Sequence, residues 1–248
     1  MITKNELDKL VQLYETPDFI NDDPIQFLHR LNNKKDIEIA GFISSLVAYG
    51  RRDVFIKKLN ELFKIAQNEP YNFIINFDPK LLGNFNYRFG KPNDFAMIFS
   101  ILKELYTKNG GLEELFKYGY NNPIKNNIFI PITDYFYSRA EENTQQGFYF
   151  MIPDPRKGGA MKRMCMFLRW MVRKGPVDFG IWNFMPTSDL YIPLDVHVAR
   201  ISREMGLLKR NANDFKAVLE LTNNLKQFDP NDPVKYDFAM FGYGVNQK

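Results

Sequence analysis

The stretch Gly158-Gly159-Ala160-Met161-Lys162-Arg163-Met164-Cys165-Met166-Phe167-Leu168-Arg169-Trp170-Met171-Val172-Arg173-Lys174-Gly175-Pro176 carries a helix with both of its ends marked. Met164, Phe167, Leu168 and Met171 fall at i, i+3, i+4 and i+7, which gathers four apolar side chains on one helical face. Arg173 and Lys174 suit the negative C-terminal end, and Gly175-Pro176 stops the turn. Upstream, Ile152-Pro153-Asp154-Pro155-Arg156-Lys157 is rich in turn formers, so the helix is predicted to follow an irregular approach closed by two glycines.

The same period extends in both directions. Downstream, Pro193-Leu194-Asp195 places Asp195 as the N-cap of a helix with Val198, Ile201 and Met205 inward and Gly206 at its end. Two more helices are predicted, one over residues 215–225 and one begun by Asp232-Pro233. Upstream, Thr3-Lys4-Asn5-Glu6 reads as a capping box. Ile39, Phe42, Ile43, Leu46 and Val47 form a stripe stopped at Gly50, and Phe55, Leu59, Leu62, Phe63 and Ala66 form the next. Asn93 or Asp94 is read as the cap of a helix with Phe95, Ile98, Phe99 and Leu102 inward, and another helix begins after Gly110-Gly111. Helical period dominates and strand alternation is not seen, so the fold class is all-α.

Composition agrees with a packed chain. The 248 residues are 45% apolar and 15% aromatic, which excludes collagen, a low-complexity tail and a coiled-coil rod. The single cysteine, Cys165, forbids an internal disulfide, a four-cysteine zinc site and a cysteine-ligated iron–sulfur cluster. Neither a secretory leader nor an 18-residue apolar stretch is read, so a cytoplasmic protein is expected, away from the membrane. Net charge is +4, but residues 151–210 hold eleven Lys or Arg against five Asp or Glu, a local surplus of six. That basicity fits a polyanion-facing surface or an ordinary solvated helix face.

Two residues could carry chemistry. Lys162 stands in the first turn of its helix, where free N–H groups and the positive helix end disfavour a second positive charge. Arg156, Lys157 and Arg163 add like charge, an arrangement that helps an amine act as a nucleophile. Most lysines beside a glycine turn face solvent or bind phosphate, and an aspartate before a helix is usually a cap. Their combination is what points to a site. His29 has no metal-ligand spacing to His197 or Cys165, and no metal is expected.

Together these motifs resemble the helix-hairpin-helix DNA glycosylase superfamily, whose hairpin reads Gly-x-Gly-x-Lys and whose aspartate precedes a helix in Val-Asp-x-His-(Val/Ile)-x-Arg. Gly158-Gly159-Ala160-Met161-Lys162 keeps the first glycine and the lysine, with Ala160 in the place of the second glycine. Leu194-Asp195-Val196-His197-Val198-Ala199-Arg200 resembles the second pattern, with Leu194 in the place of its valine, and Ile43 to Val54 looks like the superfamily's early helix and the loop that probes the DNA stack. Lys162 and Asp195 lie 33 residues apart, a separation most similar to archaeal 8-oxoguanine DNA glycosylases. The block from Lys162 to Arg173, Val177 to Trp182 and Tyr236 to Gly242 also resembles an uncharacterised bacterial family (DUF2400-like) related to these enzymes.

The resemblance implies two helical subdomains flanking a cleft, one from residues 1–38 and 151–248, the other a central bundle over 39–150. It implies base-excision repair of double-stranded DNA bearing a damaged base, an oxidised purine among the candidates, by a monomeric, nucleoid-associated glycosylase with AP-lyase activity. Lys162 would be the nucleophile and Asp195 its proton acceptor. Arg156, Lys157, Gly158, Gly159 and Arg163 would hold phosphates, and Tyr49 or Arg51 would fill the stack. Trp170, Trp182 and His197 are candidates for a base pocket, with core packing the competing reading for each tryptophan. No cofactor is implied beyond a monovalent cation at the hairpin. Asp178, 16 residues after Lys162, is the alternative aspartate by distance. Two other readings stand: a DNA-binding relative that is monofunctional or no longer cuts, and a helical protein-interaction module.

Overall fold

The computed structural model describes residues 2–142 and 144–246, with side chains to Gly244. Among them the chain is all-helical: α1 (Lys4–Tyr14), α2 (Asp18–Asp22), α3 (Lys34–Val47), α4 (Arg52–Ile65), α5 (Pro70–Ile75), α6 (Pro92–Lys108), α7 (Leu112–Asn121), α8 (Phe129–Tyr137), α9 (Gln146–Met151), α10 (Lys162–Val172), α11 (Val196–Glu204), α12 (Phe215–Lys226) and α13 (Tyr236–Asn246). Short 3-10 turns and isolated β-bridges fill the connections, and no strand is formed among the described residues. Among the described residues no helix is long and apolar enough to cross a membrane.

Several elements follow from their caps. Thr3 and Glu6 make the capping box of α1. Asn33 caps α3 through Lys35 and Asp36, and Asp195 caps α11 through His197 and Val198. At α6 the structure corrects the sequence reading. The helix begins at Pro92 with Lys91 as N-cap, and Asp94 sits one turn in, accepting from Lys91 N at 2.8 Å. Proline at the first helical position explains this, because its fixed φ is already helical and its missing N–H has no partner there to lose. Asp232-Pro233 likewise starts a 3-10 turn over Pro233–Lys235, from which α13 continues.

Contacts divide the chain into two units. One runs to Asp23 and resumes at Arg156; the other is Pro24–Pro155. In the first, α1 and α11 pack on α13. Its core joins Leu7, Ile192, Val198, Ile201, Leu221, Tyr236 and Met240, all at most 1% exposed. In the second, α3 is the central helix, contacted by α4, α5 and α7, with α6 packed on α5 and α9. All residues of α3 from Ile37 to Val47 are buried, charged Glu38 included, and Glu38 accepts from the Tyr106 hydroxyl at 2.8 Å. Burying a carboxylate is tolerated when it is hydrogen-bonded.

Candidate functional site

Arg156, Lys157, Gly158 and Gly159 form an exposed turn ahead of α10. Gly158 has φ +77°, a backbone that glycine adopts without strain. A Cβ added at Gly158 or Gly159 would meet nothing within 4 Å, so the main chain there faces open space. The turn is pinned from behind. Gly158 O accepts from Phe215 N at 3.0 Å and Gly159 pairs with Asp214 in an antiparallel bridge. Asp214 caps α12 through Ala217 N at 3.0 Å and is ion-paired with Arg210, whose hydrogen bond holds its carboxyl down at about 2. Ala160 needs no glycine conformation; the left-handed residue is Met161, at φ +53°. The α10 N-terminus has no side-chain cap.

Lys162 opens α10, half-buried. Its Nζ donates to Met166 Sδ at 3.2 Å and makes no ion pair with any described residue. A thioether is a weak acceptor, so the ammonium is left without a neutralising carboxylate. Asp195, also half-buried, accepts from His197 N and Val198 N, each at 2.9 Å and both at Oδ1. Its Oδ2 has no hydrogen bond among the described residues.

Both charges reach a third residue that the sequence reading did not single out. Asp237, on α13, has a side chain only 13% exposed. Burial pushes its carboxyl up to about 6, against the downward pull of Arg169 and Lys162, while Asp195 and Asp178 push further upward. Lys162, Asp195 and Asp237 are thereby within electrostatic reach on one unit.

Behind Asp237 lies a buried ion network. Arg169 donates to Asp237 Oδ2 from Nη1, and to Asp178 Oδ1 from Nε at 3.3 Å. Arg173 donates to Asp178 Oδ2 at 3.0 Å, to Asp232 Oδ2 at 2.8 Å, and to both oxygens of Glu15. The Arg169 guanidinium also lies 4.4 Å over the Phe238 ring. Asp178, the alternative aspartate by distance, is fully buried and held by both arginines. Its surroundings give it a structural task. A carboxylate between Tyr236 and Phe238 in an apolar stretch was the sequence signal for Asp237, and it becomes meaningful only once Arg169 faces it.

The remaining candidates separate. Trp170 is 0% exposed, with no hydrogen-bond partner for its Nε1 among the described residues, and Trp182 is 2% exposed, edge-on to Phe167 at 5.3 Å. Both rings are in the core. His197 is exposed at the start of α11, and Arg163 is half-buried beside Lys162. In the other unit, Tyr49 is half-buried, donating its hydroxyl to Tyr87 O at 2.9 Å. Arg51 is exposed and pairs with Asp53 at 2.8 Å. Burial pushes the Cys165 thiol far above its usual range. Among the described residues, no group of three or more His, Cys, Asp or Glu is placed to hold a metal ion.

A family described as a protein of unknown function (DUF2400) matches residues 23–246. No curated protein and no solved structure matches the chain.

Proposed function

For this chain, which belongs to the DUF2400 family, we propose a helix-hairpin-helix, glycosylase-like enzyme that excises a damaged base from duplex DNA and cleaves the strand through a lysine Schiff base. The observation that supports this reading is that an amine without an ionic partner among the described residues, Lys162, and a carboxylate with one uncommitted oxygen, Asp195, both act electrostatically on Asp237. The exposed Arg156 to Gly159 turn ahead of Lys162 supplies cations and an uncovered backbone for phosphate oxygens.

The chemistry follows from those groups. A base in the stack is out of reach, so the nucleotide is first extruded. Asp195 accepts a proton from Lys162, and the neutral amine attacks C1′. The C1′–N bond breaks, and the base departs with the bonding pair and takes the proton that Asp195 had accepted. Carboxylates near C1′ stabilise the positive charge developing on the sugar. The attacking nitrogen gives up a proton, the C1′–O4′ bond breaks with O4′ taking up a proton, and an iminium is left between Lys162 and C1′. Loss of a C2′ proton then expels the 3′-phosphate by β-elimination.

Borohydride trapping on duplexes containing an abasic site or 8-oxoguanine tests this directly. A covalent adduct with wild type that disappears in Lys162→Gln is expected. DNA binding without any adduct on the abasic duplex would sink the lyase step and leave a monofunctional or purely binding protein.

A further inference from the structure

In the unit Pro24–Pro155, an aromatic tip is built with unusual bracing. Tyr87 and Gly90 exchange two backbone hydrogen bonds of 2.9 Å, and Arg88 takes φ +51°, which leaves Arg88 and Phe89 at the apex of a tight turn. Phe89 is 51% exposed. Its ring lies 4.7 Å from Phe150 and 6.4 Å from Tyr49, nearly parallel to the latter at 16°. The Arg88 guanidinium sits 5.9 Å from the centroids of both Tyr49 and Phe89.

The turn is fixed on both sides. Tyr49 and Tyr87 each donate a hydroxyl to the other's carbonyl. Asp94, 1% exposed, accepts from Lys91 N at 2.8 Å and Phe148 N at 2.9 Å, tying the turn to α9. A Cβ at Gly147 would collide with the Phe89 carbonyl. A scattered surface phenylalanine needs no explanation, but this one is held in place by two hydroxyls, a buried carboxylate and a glycine. Arg88 and Lys91 are exposed beside it, and the one acid of the turn, Asp94, is buried. A rigid π face flanked by cations matches a nucleobase and its phosphate.

We propose that Phe89, backed by Tyr49 and Phe150, is a stacking site for an unpaired base of a nucleic-acid strand, with Arg88 meeting the adjoining phosphate. The inference rests on the nucleic-acid reading above and is independent of the lysine chemistry. It gives Tyr49 the role of a brace, and Phe89 the role of the contacting ring.

The test uses Phe89→Trp and Phe89→Ala in the full chain, titrated with a duplex carrying one unpaired nucleotide and with its fully paired counterpart. Both native tryptophans are buried, so a tryptophan at position 89 reports on its own surroundings. Quenching of its emission by the unpaired-base duplex is expected. Phe89→Ala should bind that duplex roughly 5- to 100-fold more weakly, with affinity kept in Phe89→Trp and an unchanged thermal midpoint in both. Wild type and Phe89→Ala binding equally, with position-89 emission unchanged, would overturn this inference and leave the DNA reading intact. No DNA binding by wild type would overturn both.

Discussion

Arg169 on α10 donates to Asp237 on α13, and this pair ties the helix that begins with Lys162 to a carboxylate poised near neutrality. Asp237 titrates at about 6 in the folded chain, against roughly 3.9 for an unfolded aspartate. Between those values the folded state holds the extra proton, so stability is highest in acid and falls as pH rises from about 4 to 6. Asp237→Asn is expected to flatten that segment of a pH series of thermal or urea midpoints. In trapping experiments wild type should gain rate through an inflection near pH 6, as the ionised carboxylate joins Asp195 near the developing positive charge. That inflection should be absent in Asp237→Asn. An unchanged profile would remove Asp237 from the site.

On the proposed mechanism Asp195 would accept a proton as well as cap α11, and substitution separates the two. The amide of Asp195→Asn still accepts from His197 N and Val198 N, so its thermal midpoint should stay near wild type while adduct formation drops at least 100-fold. Asp195→Ala should lose the cap as well, costing about 1 kcal/mol. Equal trapping by wild type and Asp195→Asn would reduce Asp195 to a helix cap.

Asp178 should behave in the opposite way. Its two arginines are almost fully buried, and Asp178→Ala leaves both short of a partner. Truncating one member of such a network costs about 3 kcal/mol or more, read as a lower denaturation midpoint. Once folded at low temperature, the variant should still form the Lys162 adduct. A stable but trapping-dead Asp178→Ala would mean that the roles of the two aspartates were exchanged.

Gly159 tests the proposed phosphate contact of the turn ahead of α10. Its φ is not positive and a Cβ would enter open space, so Gly159→Ala should fold with an unchanged midpoint. The methyl group would nevertheless hold a phosphate off the backbone, and affinity for duplex DNA should fall several-fold with a shallower salt dependence. Unchanged affinity would place the phosphate contacts elsewhere.

The helices were legible because their signals are local. Thr3-x-x-Glu6, Asp195 before Val198, and the Met164, Phe167, Leu168 and Met171 stripe each fix a cap or a face within one or two turns of chain. The α6 cap lies two residues before Asn93 and three before Asp94, the two residues that suit an N-cap by type, and only the fold shows that the Asp94 carboxylate serves both Lys91 N and Phe148 N. Lys162 was singled out by its place at a helix start. That its amine has a thioether as its hydrogen-bond partner depends on where side chains settle.

The sequence by itself determined an all-helical chain, its caps, and the local basicity between residues 151 and 210. It could not determine that Asp237 would be raised by burial, since the covering of its carboxyl is set by the fold, as is the meeting with Arg169 and Lys162, which pull it down, and with Asp195 and Asp178, which push it up. Nor could it show Phe89 as an exposed tip, because exposure is a property of the neighbours that fail to cover a ring. Hydrogen bonds and side-chain periods within a helix act over three or four residues and leave their mark in composition and spacing. Burial and long-range Coulomb effects are set by which distant residues meet, so only the tertiary structure decided them.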